Sequence, residues 1–371
     1  MPESVSFSPI ELQAHRYVEL DSLRGIAALT VVLSHFLGIW QFESWHRRLE
    51  DSPLRILFAG HEAVVLFFVL SGFVLSVQCS GRRPLTYPRF LVKRFCRIYL
   101  PFLAAVVISA LGCLVFYSSA PSGNSWADTS WTMRPSVHQV ILLLATSMHR
   151  PEQLNVAIWS ILLEIRVSVL FPLLFWLARH IASLPLLIGF VLLSSVVQGT
   201  EGLRGALMTV IAVSGLFILG ILLHKHLGQV ARWYAARTAA GSLLFLSAAL
   251  LCFEAIHPVV DAMGLSKLTN LDAVSDYFVG MGAVGVLICA IHNPQFRSML
   301  RHPILLRMGA LSYSTYLIHG VVLFALIRLF FGRVPFYYLF PAYLIGVYVV
   351  SELFHALVDK PSLLLGRRLV C

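Results

Sequence analysis

The ten residues Gln139-Val-Ile-Leu-Leu-Leu-Ala-Thr-Ser-Met148 are apolar, yet too few to cross a bilayer as a helix, which takes roughly twenty. Every later segment depends on them: if they span, all that follows changes side. Longer apolar stretches surround them, at about 24–41, 60–79, 100–118, 158–178, 184–199, 206–223, 239–256, 275–292, 310–331 and 337–357. Between the second and third lies a segment carrying Arg82, Arg83, Arg89, Lys93, Arg94 and Arg97 with no acid, which belongs in the cytoplasm by the positive-inside rule. With 139–148 outside the membrane count, Lys225, Arg232, Arg237, Arg297, Arg301, Arg307, Lys360, Arg367 and Arg368 are cytoplasmic as well; with it inside, all of them move out. The pattern therefore predicts an all-α integral membrane protein, a bundle of about ten transmembrane helices with both termini cytoplasmic. Segment 139–148 becomes an external re-entrant or surface-lying helix. The external stretch 119–157, with Pro121, Gly123, Trp126 and Trp131, is expected to form a cap with exposed tryptophans.

Composition agrees. The 371 residues are 58% hydrophobic and only 12% charged, with a mean hydropathy of +0.80. Soluble domains carry about twice that charge fraction, so a soluble enzyme is excluded. The net charge of +10 sits in short clusters between apolar runs, which argues for topology and against nucleic-acid binding. The six cysteines are scattered without metal-ligand spacing, so no metal site and no disulfide framework are expected. With Glu3, Glu11, Arg16 and Glu19 and no apolar core, the first twenty residues are not expected to be a cleavable signal peptide. The expectation is a single membrane domain over 1–371, without an appended soluble domain, in the cytoplasmic (inner) membrane as a multi-pass protein.

Charges left inside apolar spans cost about 2.5 to 3.5 kcal/mol each on insertion scales and point to function. On the first helix, Arg24 and His35 are eleven positions apart, hence on one face and about 16 Å apart along the axis. Asp21 shares that face. Histidine works as a base near neutral pH when it is uncharged, which suits His35. Trp159, Ser160 and Glu164 open the fourth span; counted from the outer interface, Glu164 comes to the depth of His35, where the two can pair. Arg94 and Arg97, one turn apart, form a two-guanidinium clamp for phosphate. Tyr313, Tyr316 and His319 make a polar stripe, joined by Glu352 and His355 on the last span; it suits a channel wall or interhelical hydrogen bonding. Ser71-Gly72 in the second span suits close helix packing.

Taken in order, these pieces resemble the membrane acyltransferase-3 family, whose bacterial members O-acylate sugars and glycans. The resemblance rests on Leu20-Asp-Ser-Leu-Arg24-Gly25 with His35, Phe68-Val-Leu-Ser71-Gly72-Phe73, Arg94-Phe-Cys-Arg97, Trp159-Ser160 with Glu164, Leu311-Ser-Tyr313 with Tyr316 and His319, and Asp359-Lys-Pro361. It covers almost the full chain. It departs at Ala63, often glycine in the family, and at Asp359, often glutamate; His61 and Glu62 match no family motif and are assigned, with Trp159 and Ser160, to the acceptor side.

The resemblance implies an acyl-CoA co-substrate, usually acetyl-CoA, taken from the cytoplasm, and no permanently bound cofactor. His35 is then the base, with Arg24 and Glu164 supporting it, while Arg24, Arg94, Arg97, Tyr313, Tyr316 and His319 line the donor site. The acceptor is a sugar-containing molecule: a glycolipid, lipid-linked glycan, polysaccharide or small glycoside. Many family members carry a C-terminal hydrolase-like domain, whereas here ten residues follow Pro361, so transfer is completed by the membrane unit or by a separate extracytoplasmic partner. The competing reading is a transporter or flippase for a glycan or glycolipid, although the two halves show no paired broken helices.

Overall fold

A computed structural model of the chain describes residues 17–40, 43–81, 86–117, 128, 130–132, 134–136, 137–145, 153–195, 202–236, 240–251 and 271–370. In chain order its α-helices are α1 (Val18–Gly38), α2 (Ser44–Glu50), α3 (Gly60–Cys79), α4 (Tyr87–Arg94), α5 (Leu100–Phe116), α6 (Val137–Leu144), α7 (Ile158–His180) and α8 (Ser183–Ser195). They continue as α9 (Gly202–Lys225), α10 (Leu227–Ala235), α11 (Ala240–Leu251), α12 (Leu271–His292), α13 (Pro294–Leu300), α14 (Pro303–Phe330), α15 (Phe336–Phe354) and α16 (Lys360–Val370). Two π-helical segments, Phe95–Tyr99 and His355–Asp359, join α4 to α5 and α15 to α16 without a break. Among the described residues, eight helices are long and apolar enough to cross a membrane. The expected spans at 184–199 and 239–256 begin as α8 and α11, and both run on into positions outside the described residues. Arg82, Arg83, Arg237, Pro121, Gly123 and Trp126 also lie outside them.

Helix directions follow from side-chain pairs. On α3 and α9, Phe68 meets Phe217 and Phe73 meets His224, so the two helices are parallel. Three spans, α4–α5, α7 and α8, separate them, which returns the chain to the same direction. A further crossing by 137–144 would make α9 antiparallel to α3. On α1 and α14, Gly25 faces Gly309 and His35 faces His319, an offset of 284 in both cases, so these helices are parallel and in constant register. Small residues let them approach: a Cβ on Gly25 would fall 2.5 Å from the Gly309 nitrogen. Gly72 is packed against the Phe217 carbonyl in the same way, as its neighbour Ser71 suggested.

The described part of the segment at 139–148, residues 139–145, follows a re-entrant path. Trp131 donates from its backbone nitrogen to Gln153 O (3.3 Å) and from Nε1 to Leu154 O (2.9 Å), so the ends of the segment lie together. Trp131 packs on Gly112, near the end of α5. Between those ends α6 descends until Leu144 O accepts from Tyr99 OH at 2.5 Å, on the residue preceding α5. Thirteen residues of helix separate Gly112 from Tyr99, about 20 Å. A hydroxyl on that carbonyl matters because a helix end at membrane depth has no water to satisfy it. The N-terminus of α6 is closed by a Ser136–Gln139 capping box.

The cap expectation needs one correction. Trp131 is 1% exposed and holds a backbone φ of 56°. It is wedged between α5 and α14, with Phe116 and Phe324 against its ring, and so belongs to the core.

Candidate active site

A cavity of about 410 Å³ lies between α1, α3, α7, α14 and the two π segments. Along α3 its lining runs from Gln78 to Val64, fourteen residues or about 21 Å of helix. Arg94, within electrostatic reach of Cys79, stands at the Gln78 end; Arg24, Arg97, Ser71, Glu164, Tyr313, Ser160 and Tyr316 line the rest.

The arginines are positioned by their helices. Arg24 pairs with Asp21 one turn back, Nη1 to Oδ1 at 3.2 Å. Arg94 ends α4 and Arg97 lies in the π segment, whose wider turn alters the register between them. Tyr313 holds that turn, its hydroxyl donating to Ile98 O at 2.7 Å. Arg94 Nε is buried without a hydrogen-bond partner among the described residues, a donor left over for an anion. Glu164 and Arg24 both lie within electrostatic reach of Arg94. In the second π segment His355 Nδ1 meets Asp359 Oδ2 at 2.8 Å, and Ser314 Oγ donates to the same oxygen at 3.4 Å.

Beyond Glu164 the cavity closes. Ser160 Oγ donates to Ala157 O (3.0 Å), so the 2.6 Å contact between Ser160 Oγ and Tyr316 OH has the phenol as donor. Phe67 meets the Tyr316 ring edge-on. One turn further along α14, His319 is fully buried, and its Nε2 lies 2.8 Å from His35 Nδ1. His35 itself does not line the cavity; it stands just past the Tyr316 closure.

His35 and Glu164, expected to pair, are thus on opposite sides of the Ser160–Tyr316 bond. Glu164 accepts from Ser71 Oγ at 3.2 Å, and His35 is held by His319. The depth was misjudged because Leu154 to Ile158 are all buried, so α7 starts well inside the protein and every residue on it lies deeper than a count from the interface gives. Glu352 leaves the polar stripe, being ion-paired to Arg307. Trp159 is half-buried and does not line the cavity, while Ser160 does. His61 and Glu62 are away from it: His61 Nε2 meets Asp276 Oδ1 at 2.6 Å, and Glu62 Oε1 meets Arg55 Nη1 at 2.5 Å.

Sequence reasoning passed over Asn155. Fully buried, it accepts from Ala157 N (3.0 Å) and donates to Ser109 Oγ (3.0 Å) and Leu317 O (2.9 Å). It therefore fixes the start of α7 to α5 and α14 two residues from His319. An asparagine just ahead of a long apolar run is an N-terminus signal that would have flagged it.

Comparison with known proteins places this geometry. The acyltransferase-3 family model, described as an acyltransferase domain, matches residues 17–355. Acyltransferase MdmB of Streptomyces mycarofaciens is 27% identical over 395 residues, covering 95% of this chain and 94% of that protein. Protein 2 in picA locus of Rhizobium radiobacter is 33% identical over 106 residues, 28% of this chain and 48% of its own length. No solved structure matches. With six motifs in order, a multi-pass bundle and a family match over nearly the whole chain, this protein belongs to the membrane acyltransferase-3 family and is an acyltransferase.

Proposed function

We propose that the protein moves an acyl group, acetyl in the first instance, from cytoplasmic acyl-CoA to a hydroxyl of a sugar on a glycolipid, lipid-linked glycan, polysaccharide or small glycoside. The observation that carries this reading is the cavity, lined by Arg24, Arg94 and Arg97 and ending at Tyr316, one turn of α14 short of the His35–His319 pair. Arg24, Arg94 and Arg97 suit the phosphates of CoA, Arg94 through an Nε that has no partner among the described residues. The pantetheine arm lies along α3 past Glu164 and Tyr313, and Tyr316 swings aside to admit the thioester. Arg24 to His35 is about 16 Å along α1, the distance the arm has to cover.

At the far end His35 takes the proton of the acceptor hydroxyl. The oxygen attacks the thioester carbonyl carbon, the C–S bond breaks, and the thiolate leaves with the proton returned by His35. Ester and CoA thiol are the products, and the protein is unchanged. The protein sits in the cytoplasmic membrane with the arginine end inside, and either acts on the acceptor alone or hands the acyl group to a separate extracytoplasmic partner. His61 and Glu62, at the start of α3 on the His35 side, belong to the acceptor-facing rim.

The test is label transfer from radiolabelled acetyl-CoA to glycan or glycolipid in membranes containing the protein. His35→Ala at normal expression is expected to abolish it. Undiminished transfer in that variant overturns the assignment of the base, and glycan movement without acylation favours a transporter.

A further inference from the structure

The bond between the two histidines sets which nitrogen of His35 carries a proton. His319 Nδ1 lies 2.7 Å from Tyr316 O and 3.2 Å from Thr315 O. Carbonyl oxygens only accept, so that nitrogen is the one bearing hydrogen. In a neutral His319 the other nitrogen, Nε2, then has a lone pair, and it faces His35 Nδ1 at 2.8 Å. The ring planes are 4° apart with centroids at 5.0 Å, the arrangement of two imidazoles meeting edge to edge in one plane. The shared hydrogen therefore belongs to His35 Nδ1, and His35 Nε2 carries the lone pair.

We infer that His319 is a positioning residue that locks His35 in the Nδ1–H tautomer, which makes Nε2 its basic nitrogen. The lock is anchored in backbone: a helix carbonyl fixes the tautomer of His319, which in turn fixes that of His35. It is rigid as well as polar. His319 is 0% exposed, Asn155 Oδ1 would stand 2.7 Å from a Cβ on the adjacent Gly320, and Asn155 Nδ2 binds Leu317 O two residues earlier. A base working without such a partner divides its population between two tautomers and two ring flips, only some of them productive. The inference rests on the reading of His35 as the base, and it moves His319 from the donor site to the chemistry.

Two amide replacements separate the roles of the two nitrogens. His319→Gln places a carboxamide oxygen near the lost Nε2, where it accepts from His35. His319→Asn places its amide near the lost Nδ1, where it reaches Tyr316 O and not His35. The expected result is kcat within about tenfold of wild type for H319Q and about 10²- to 10³-fold lower for H319N. KM for acetyl-CoA is expected to stay within about twofold in both, as for a step made only in the transition state. Equal kcat in the two variants overturns the inference, as does a rise in KM with kcat unchanged, which would return His319 to donor binding. A readout independent of activity is ¹⁵N NMR of histidine-labelled protein in detergent, with the His35 signals identified by their loss in His35→Ala. Wild type is expected to show a protonated Nδ1 and an unprotonated Nε2 at His35. The opposite tautomer overturns the inference even where transfer is normal, whereas the predicted tautomer in a protein that transfers no acetyl group faults the proposed reaction instead.

Discussion

Gly25→Ala tests whether the parallel seam between α1 and α14 sets the reaction geometry. The added Cβ would lie 2.5 Å from Gly309 N and 2.6 Å from the Met308 carbonyl carbon, both backbone atoms, whereas ordinary contact begins at 3.4 Å. No side chain can turn away to relieve this, so the two helices must part by about 0.9 Å, an overpacking that costs about 1–3 kcal/mol. If they part as stiff rods, the 2.8 Å contact between His35 and His319 opens to about 3.7 Å, beyond hydrogen-bonding range. A displacement of about 1 Å at a reacting group is worth roughly 10²-fold in rate. The assay is initial-rate acyl transfer in membranes, with thermal unfolding of the detergent-solubilised protein measured on the same preparation. Gly189→Ala is the control: nothing lies within 4 Å of its Cβ, and in α8 it is expected to add up to about 1 kcal/mol without changing the rate. A folded Gly25→Ala protein with the wild-type rate would refute the claim that this seam holds the histidine pair.

The other predictions concern the donor end and the topology. Arg94→Ala is expected to raise KM for acetyl-CoA about 10- to 10²-fold, the worth of one charge-assisted hydrogen bond, with kcat little changed; a fall in kcat at unchanged KM would contradict a donor-binding role. Single cysteines placed at Ser136 and Gln153 in an otherwise cysteine-free protein are expected to react with an impermeant maleimide from the same, external side. Labelling from opposite sides would contradict the re-entrant path of α6.

Much of the architecture is readable in the sequence because lipid leaves few options. The long apolar runs become helices, and a run of Arg and Lys without acids sets a side. The short length of Gln139–Met148, with the basic residues of the later loops, favoured its staying on one side. What decided between a surface helix and a reentrant one was Tyr99 capping Leu144, a contact between segments that no local pattern announces. The arginines of the site were legible for the same reason as the spans: a charge in an apolar run demands an explanation. The pairing of the histidines was not. His35 and His319 are related by the register of two helices 284 residues apart, and register is set by Gly25 and Gly309 in three dimensions. Glu164 was placed too near the surface because the buried strand of chain from Leu154 to Ala157 looks, in sequence, like any external loop. Trp131 was misplaced likewise, since its neighbours Gly112 and Phe324 come from two other helices.

The most direct test of the central claim is mass spectrometry of surface glycans and glycolipids from cells making the wild-type protein or His35→Ala at equal level. An acyl ester on a sugar hydroxyl is expected with wild type and absent with the variant. The same ester in both, or in neither, would contradict acyl transfer by His35.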